Sequence, residues 1–352
     1  MSKHKLFLAT ACLRQYSHYF KILLVFLSIA IPLAVLYFLN APSFNRAFNG
    51  RTYYLFFVWL VVLEFALDWG KYGTKTANNS VKSNFAFGLA VTLPTCYVIA
   101  SNFFGLNTAI IDLFRPYGIP SPWLENTPMA MEYIVFTILF AIIILLSYGS
   151  KGLADFSLSI GLLGAVAAYH LINILYPYGG FTPFQFIVPT TTTLSASVLN
   201  LMGYQTKVIL SSTNPMPQLY AWNSEAMWGF QIAWPCAGVE SLLIYTIVIL
   251  LFLKKSNICW LHRIIYFTIG AIATYFINIL RIVTIFILAL NQGDVWTFHD
   301  YYGMLYSAIW IVSYPLIIIA SRALWSKLKI WNLKRRNNKM QETTPSINYT
   351  SV

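Results

Sequence analysis

Three residues in the last third of the chain have side chains that could together cleave an acyl bond, namely Cys236, Arg281 and His299. A cysteine thiolate is a strong nucleophile, and a histidine exchanges protons near neutral pH. A fixed cation can stabilise the negative charge of a tetrahedral intermediate. Each residue lies in or beside a long apolar stretch, so whether the three meet depends on how these stretches cross a membrane.

Cys236 lies in WPCAGVES, residues 234–241, directly before the apolar run LLIYTIVILLFL. Pro235 and Gly238 on either side of it are typical of a turn that leads into a helix. Unpaired N–H groups at a helix N-terminus stabilise a thiolate and lower the pKa of the thiol. The alternative is a small buried cysteine without chemistry, and its position alone does not decide between the two.

Arg281 lies inside the apolar run TYFINILRIVTIFILAL. A permanent charge within a membrane span is costly and usually functional. Thr274 and Asn278 precede it at helical spacing and share its face, so this face should meet protein or a wet cavity rather than lipid. The structural alternative is an internal ion pair, with Glu240 or Glu64 as the partner.

His299 lies in NQGDVWTFHDYYG, the loop that follows the Arg281 span. Asp300 is adjacent and is a candidate to orient the imidazole, as Asn278 is for the guanidinium. An interfacial histidine without a role is the alternative. Because three successive elements would project Cys236, Arg281 and His299 to one aqueous face, the sequence favours a cysteine-based active site over three unrelated structural residues.

The composition indicates a polytopic membrane protein with little soluble mass. The chain is 58% hydrophobic and 10% charged, whereas soluble domains carry about 25% charged residues. Apolar stretches of spanning length recur along it. We predict an all-α fold of about eight transmembrane helices, at 22–39, 53–69, 84–104, 133–149, 156–175, 238–253, 264–290 and 304–322.

The basic residues predict the orientation. With the N-terminus inside, 18 of the 23 Lys and Arg residues fall in inside segments, four fall outside, and Arg281 lies within a span. Both termini are therefore predicted to be cytoplasmic, and the number of spans to be even. Residues 182–203, with Pro189 and a four-threonine run, are then expected to form a re-entrant, interfacial or irregular segment on the outer side. The net charge of +12 is assigned to cytoplasmic loops rather than to nucleic-acid binding.

This topology divides the chain into four parts. They are a cytoplasmic N-terminal segment 1–21, a five-helix membrane region 22–175, a catalytic region 176–323 and a basic cytoplasmic tail 324–352. The sequence contains no GxSxG elbow, phosphate-binding GxxxxGK[ST] loop, HExxH helix or CxxC pair. Serine hydrolysis, ATP hydrolysis and zinc chemistry therefore lack support, and we expect no metal or organic cofactor.

At these residues the chain resembles the exosortase/archaeosortase family, whose members are polytopic membrane enzymes with a Cys-Arg-His site. The cysteine motif of that family appears here as CAGVES, the arginine motif NxxR as NILR, and the histidine segment as FHDYYG. The resemblance covers roughly 180–320. Ala237 departs from the serine that is commoner in the family.

The resemblance implies that Cys236, Arg281 and His299 are catalytic. It also implies supporting or substrate-binding roles for Gly238 and Ser241.

The resemblance further implies a protein-sorting peptidase and transpeptidase. Its substrates would be secreted proteins that end in a short motif, a transmembrane helix and a basic tail. Cleavage would give an acyl-enzyme, which a lipid or glycan acceptor resolves. The enzyme would lie in the plasma (inner) membrane, in contact with the lipid bilayer, with its active site on the extracytoplasmic face.

Two other classes of function stay open from the sequence. In a transporter, Arg281 would bind an anionic solute within the bundle and Cys236 would be incidental. In a non-catalytic scaffold for envelope assembly, neither residue would react. Only sorting requires that the same genome encode secreted proteins with a motif–helix–basic tail.

Overall fold

The computed structural model describes residues 2–46, 50–72, 81–177, 182–210 and 216–343. Its helices are α1 Ser2–Leu39, α2 Thr52–Tyr72, α3 Val81–Phe103, α4 Leu106–Phe114, α5 Ser121–Leu124, α6 Thr127–Asp155, α7 Ser157–Leu175, α8 Thr182–Gln185, α9 Val188–Leu201, α10 Val239–Lys255, α11 Trp260–Leu290, α12 Val295–Thr297 and α13 Gly303–Thr343. Shorter turns of 3-10 helix occur at Ala41–Asn45 and Arg115–Tyr117, and a π-helical turn occurs at Phe298–Tyr302. The strands are β1 Gln205–Ile209, β2 Gln218–Trp222 and β3 Met227–Gln231.

Six helical stretches among the described residues are long and apolar enough to cross a membrane. They are Phe20–Leu39, Phe85–Phe103, Ser121–Asp155, Ser157–Leu175, Trp260–Leu290 and Val295–Trp331. A shorter apolar stretch lies in α2 at Thr52–Ala66, and α10 has 17 residues. The prediction of a largely α-helical, polytopic membrane protein is confirmed, while the count of eight spans and the orientation stay predictions.

The chain divides into two compact units, residues 1–311 and 312–352. The first contains the sheet and all the predicted site residues. The second is the continuation of α13, whose later turns are rich in Lys and Arg. Lys75, one of the bases used to predict the orientation, and residues 344–352 of the basic tail lie outside the described residues.

The segment 182–203 is helical rather than irregular, because it forms α8 and α9. Pro189 lies in the first turn of α9, where its missing N–H has no helical acceptor to lose. The hydroxyls of Thr191, Thr192 and Thr193 donate to carbonyls four residues earlier in the chain. These threonine hydroxyls are therefore hydrogen-bonded within the helix itself. The run of four threonines in the sequence had instead suggested a non-helical segment.

The sequence also did not reveal the antiparallel sheet, whose strand order is β1-β2-β3. Leu219 and Ala221 of β2 are fully buried and belong to one apolar core with residues of α9 and α11. The alternation in QLYAW, followed after a short polar turn by the aromatic-rich MWGFQ, is a hairpin pattern. The hairpin lies between apolar helices, and each of its strands has only five residues. It is therefore too short to be noticed among apolar runs of membrane-spanning length.

The N-terminal helices are tied together by a buried ion pair. Arg51 donates from Nε and Nη2 to the two carboxylate oxygens of Glu132 at 2.8 and 2.6 Å, and from Nη1 to Ser43. A second link runs from α2 to the start of α10, since the Tyr53 hydroxyl donates to buried Glu240 at 2.7 Å. These contacts fix the N-terminal helices against the start of α10.

Removing one partner of the buried pair should destabilise the protein strongly. Glu132→Ala leaves the Arg51 guanidinium buried and unpaired, which costs about 3–5 kcal/mol in comparable cases. We expect a clear fall in thermal unfolding temperature in detergent. The control is Asp112→Ala, since the exposed Asp112–Arg115 pair should be worth no more than about 1 kcal/mol. Equal effects of the two changes would contradict a structural role for the buried pair.

Candidate active site

Cys236 lies in a tight turn between β3 and α10, and the turn is fastened to α11. Asn278 donates from Nδ2 to the carbonyl of Cys236 at 3.0 Å. Gly238 ends the turn with a φ of +90°, which favours glycine. A Cβ at Gly238 would lie 2.7 Å from the amide of Asn278. Glycine is therefore needed both for the backbone conformation and for the close approach of Asn278.

His299 lies in the π-helical turn after α12, with its imidazole against the Cys236 sulfur. The Sγ–Nε2 distance is 3.8 Å, and Nδ1 is 2.9 Å from Oδ1 of Asp300. In the tautomer whose Nδ1–H donates a hydrogen bond to the carboxylate, Nε2 carries a lone pair that can accept the thiol proton. The contacts thus form a chain from a thiol to an imidazole to a carboxylate, the arrangement of a nucleophile, its base and the group that orients the base.

Arg281 projects from the middle of α11 and is almost fully buried, with 4% of its surface exposed. Its Nη2 donates to the backbone carbonyl of His299 at 3.3 Å. A Cβ at Gly303 would lie 2.7 Å from Arg281 Nε, so a larger residue there would displace the guanidinium. The arginine therefore lies under the turn that carries the histidine.

An ion pair does not explain the buried charge of Arg281. Among the described residues no carboxylate forms a salt bridge with it, and Glu64 instead pairs with Lys255 at 2.9 Å. Glu240 is buried and accepts a hydrogen bond from Tyr53. The guanidinium therefore keeps hydrogen-bonding capacity, since its buried Nε has no hydrogen-bond partner in the described part of the chain.

The electrostatic setting of Cys236 favours the thiolate. Burial by itself would raise the pKa of the Cys236 thiol, but the His299 hydrogen bond and the nearby charges of His299 and Arg281 outweigh it. The net result is a pKa below the ordinary cysteine value. A thiolate is the reactive form of cysteine, so the surroundings of Cys236 promote nucleophilic attack.

The structure connects six of the seven residues predicted for the site through the contacts given above. They are Cys236, Gly238, Asn278, Arg281, His299 and Asp300. Ser241 is buried in the first turn of α10 and makes no hydrogen bond with them. Their roles in a reaction stay predictions.

Sequence reasoning missed two residues that position the site. Gly303 closes over Arg281, and its only signal was its place at the end of FHDYYG. Trp234 is fully buried and packs edge-on against Tyr169 and Phe184, with ring centroids 5.8 and 5.1 Å apart. It anchors the Cys236 turn in the core, a role that its position before a proline did not indicate.

The part of the chain that the structure describes contains no cluster of three or more His, Cys, Asp or Glu residues placed to hold a metal ion. The side-chain polar groups that the contacts bring together are a thiol, an imidazole, a guanidinium, an amide and one carboxylate. Such a set can carry out acyl transfer through a covalent intermediate.

Comparison with known proteins gives one family. The family model described as transmembrane exosortase (Exosortase_EpsH) matches residues 48–314. The match includes every predicted site residue and extends into the N-terminal helices, beyond the region of the motifs. No curated protein and no solved structure matches the chain.

Proposed function

The chain belongs to the transmembrane exosortase family, and we propose that it cleaves and sorts secreted proteins through attack by the Cys236 thiolate. Family membership supports a sorting transpeptidase or protease in a membrane. The observation that carries the cysteine mechanism is the 3.8 Å contact between Cys236 Sγ and His299 Nε2, with Arg281 held against the same turn. A buried structural cysteine needs neither partner.

In the first half of the reaction, His299 takes the thiol proton and Sγ forms a bond to the carbonyl carbon of the scissile peptide. The carbonyl oxygen becomes an oxyanion, which the Arg281 guanidinium stabilises. The C–N bond then breaks, and the leaving amine takes the proton from His299. The products are a thioester on Cys236 and the released C-terminal fragment.

In the second half, a nucleophile of the hydroxyl or amine class attacks the thioester carbonyl. A lipid or glycan acceptor gives transfer, and water gives hydrolysis. His299 accepts the proton of the nucleophile, the C–S bond breaks, and the thiolate of Cys236 is restored. Asn278 holds the backbone of Cys236, and Asp300 orients His299 through both steps.

The proposed substrates are secreted proteins with a C-terminal motif, a transmembrane helix and a basic tail. Such a substrate would place its helix in the bilayer beside the enzyme and its motif at the outer face of the plasma (inner) membrane. Residues 176–323 would form the catalytic region, and 22–175 would support it. A transporter that binds an anion at Arg281 has less support, because it gives no role to the contact between Cys236 Sγ and His299 Nε2.

The test is co-expression with a reporter that ends in such a tail, taken from a secreted protein of the same genome. The proposal predicts that the reporter loses its tail in the presence of the enzyme, and that mass spectrometry finds the new C-terminus just before the helix. A trapped intermediate should be released by hydroxylamine, as a thioester is. An intact reporter across all tails of this type in the genome would contradict sorting.

The pH dependence of thiol alkylation tests the electrostatics separately from turnover. In a variant with Cys12, Cys96 and Cys259 replaced by alanine, iodoacetamide should react with Cys236 at a rate that rises with pH through the pKa of the thiol. We expect the midpoint to lie below about 8.5, the value for a free cysteine. A lowered pKa raises the thiolate fraction at a given pH, and the rate falls as the pH drops through the pKa.

Replacing His299 by alanine should move this midpoint upward. Burial of the thiol would remain, while the hydrogen bond and charge that favour the thiolate would be lost. The matched control is His262→Ala, at the exposed start of α11, which should leave the midpoint in place. Equal midpoints for all three proteins would show that His299 does not act on the thiol.

A further inference from the structure

β3 is an edge strand that pairs with β2 on one side and, within the described ranges, with no strand on the other. The alternating pattern of an antiparallel pair identifies which backbone groups face the open side. Asn223 N donates to Ala226 O at 3.0 Å just before β3, and Ile232 N donates to Pro217 O at 2.9 Å just after it. Between the Asn223–Ala226 pair and the Pro217–Ile232 pair, every second residue of β3 is therefore hydrogen-bonded to β2.

The bonded residues of β3 are therefore Trp228, opposite Ala221, and Phe230, opposite Leu219. The N–H and C=O groups of the other three residues of β3 point away from β2. Those residues are Met227, Gly229 and Gln231, which are solvent-exposed. No other backbone segment among the described residues pairs with them.

This edge lacks the features that normally prevent strand addition. Natural edge strands carry lysine, proline, inward charges or bulges, or are covered by another element. The sequence of β3 is MWGFQ, with neither charge nor proline. Met227 and Trp228 have 63% and 46% of their surfaces exposed. An uncharged and exposed edge of this kind can accept a further strand.

The open edge leads directly into the candidate active site. Cys236 follows the last residue of β3 by five residues, which an extended chain spans in at most about 18 Å. Phe230 packs edge-on against Phe286 of α11 at 5.1 Å, and α11 also carries Arg281. A polypeptide lying along β3 would thus run beside the strand that leads into the Cys236 turn.

We propose that the extended segment of the substrate beside its scissile bond docks on β3 as a fourth strand. This rests on the proposed function, since an enzyme that cuts a peptide bond requires an extended backbone at its nucleophile. The backbone groups of Met227, Gly229 and Gln231 supply affinity without regard to sequence, and alternate substrate side chains face the two sides of the sheet. The continuity of the strand with Cys236 favours a substrate peptide over a second copy of this chain.

Cross-linking tests the docked conformation. The enzyme carries Met227→Cys and Cys236→Ala, with its other cysteines replaced by alanine, so that the tailed reporter is bound but not cut. Single cysteines are placed at successive reporter positions before the transmembrane helix. Strand addition predicts disulfide formation at every second position, because side chains alternate across a sheet. A spacing of three to four, or no preference, would overturn the proposal. Disulfides between two copies of the enzyme in place of reporter cross-links would also overturn it.

Kinetics test the role of the backbone. Gln231→Pro removes an N–H that faces the open edge and leaves the bonds to β2 intact, a position where edge strands tolerate proline. We expect its KM for the reporter to rise about five- to tenfold, the loss typical of one or two hydrogen bonds. The matched control, Gln231→Ala, keeps the N–H and should stay near wild type.

The alkylation rate of Cys236 shows whether Gln231→Pro has disturbed the site. We expect Gln231→Pro to leave this alkylation rate unchanged. If the rate is unchanged but the KM of Gln231→Pro also equals that of wild type, strand addition is wrong. The cysteine mechanism would still stand as long as processing requires Cys236. If Cys236→Ala still processes the reporter, the proposed function itself fails. A raised KM in Gln231→Ala as well would place the effect in the side chain and contradict backbone pairing.

Discussion

Cys236→Ala is expected to abolish processing of a tailed reporter, with a loss of at least about a thousandfold, since removing the nucleophile of a covalent mechanism leaves only residual stabilisation by the remaining site. Alanine fits the turn because Cys236 is held through its backbone carbonyl, by Asn278. The variant should therefore reach wild-type levels in the membrane. Processing is followed by the size of the reporter on gels, and the enzyme by quantitative blotting.

Two controls make this result specific. Cys96→Ala and Cys259→Ala remove exposed cysteines from α3 and from the residue before α11, and both should process the reporter normally. The intact mass of the wild-type enzyme should show an acyl adduct that Cys236→Ala lacks. Full processing by Cys236→Ala would remove the cysteine mechanism altogether. Loss of processing together with loss of the protein would be resolved by Cys236→Ser, which is nearly isosteric with cysteine and should be folded and inactive.

The membrane character of the chain and its candidate site could be predicted from the sequence for different reasons. The apolar runs follow directly from composition, because a helix in lipid must satisfy its backbone internally and cover itself with apolar side chains. Cys236, Arg281 and His299 stood out because each is chemically out of place in or beside such a run. Neither inference requires knowledge of how the helices pack.

What the sequence could not supply is the set of contacts between distant elements. Asn278 was predicted to orient Arg281, its neighbour on one helical face, but its amide instead bonds the Cys236 carbonyl and lies against Gly238. Local spacing reports which residues share a face, whereas the partner across the interface depends on the packing of α10 against α11. The fit of Gly303 against Arg281 was hidden for the same reason.

The buried polar residues beneath the site show a further limit of sequence patterns. Glu240 follows Cys236 by four residues and belongs to a motif read for its Cys, Gly and Ser. Its hydrogen bond to Tyr53 spans 187 positions of the chain. No local periodicity could indicate that contact, although it fixes α2 to the helix that follows the Cys236 turn.

Arg281→Met is the second change with a large expected effect. Methionine approximates the length and volume of the aliphatic part of arginine but carries no charge. The variant therefore loses the group proposed to stabilise the oxyanion. Removing one such donor typically lowers kcat about 10²- to 10³-fold. The effect should appear in kcat more than in KM, since the charge on the substrate oxygen develops only in the transition state.

Arg281→Lys separates charge from geometry. A lysine keeps one positive charge but presents a compact ammonium in place of the planar fork that reaches the His299 carbonyl through Nη2. If the fork is required, Arg281→Lys should lose nearly as much kcat as Arg281→Met. Exposed Arg115→Lys should change neither kcat nor stability.

Thermal unfolding temperatures of the Arg281 variants, measured beside kcat, would show whether they fold. Because a buried charge without a carboxylate partner contributes little to stability, we expect Arg281→Met to remain folded. A folded Arg281→Met enzyme with wild-type kcat would exclude the guanidinium from catalysis.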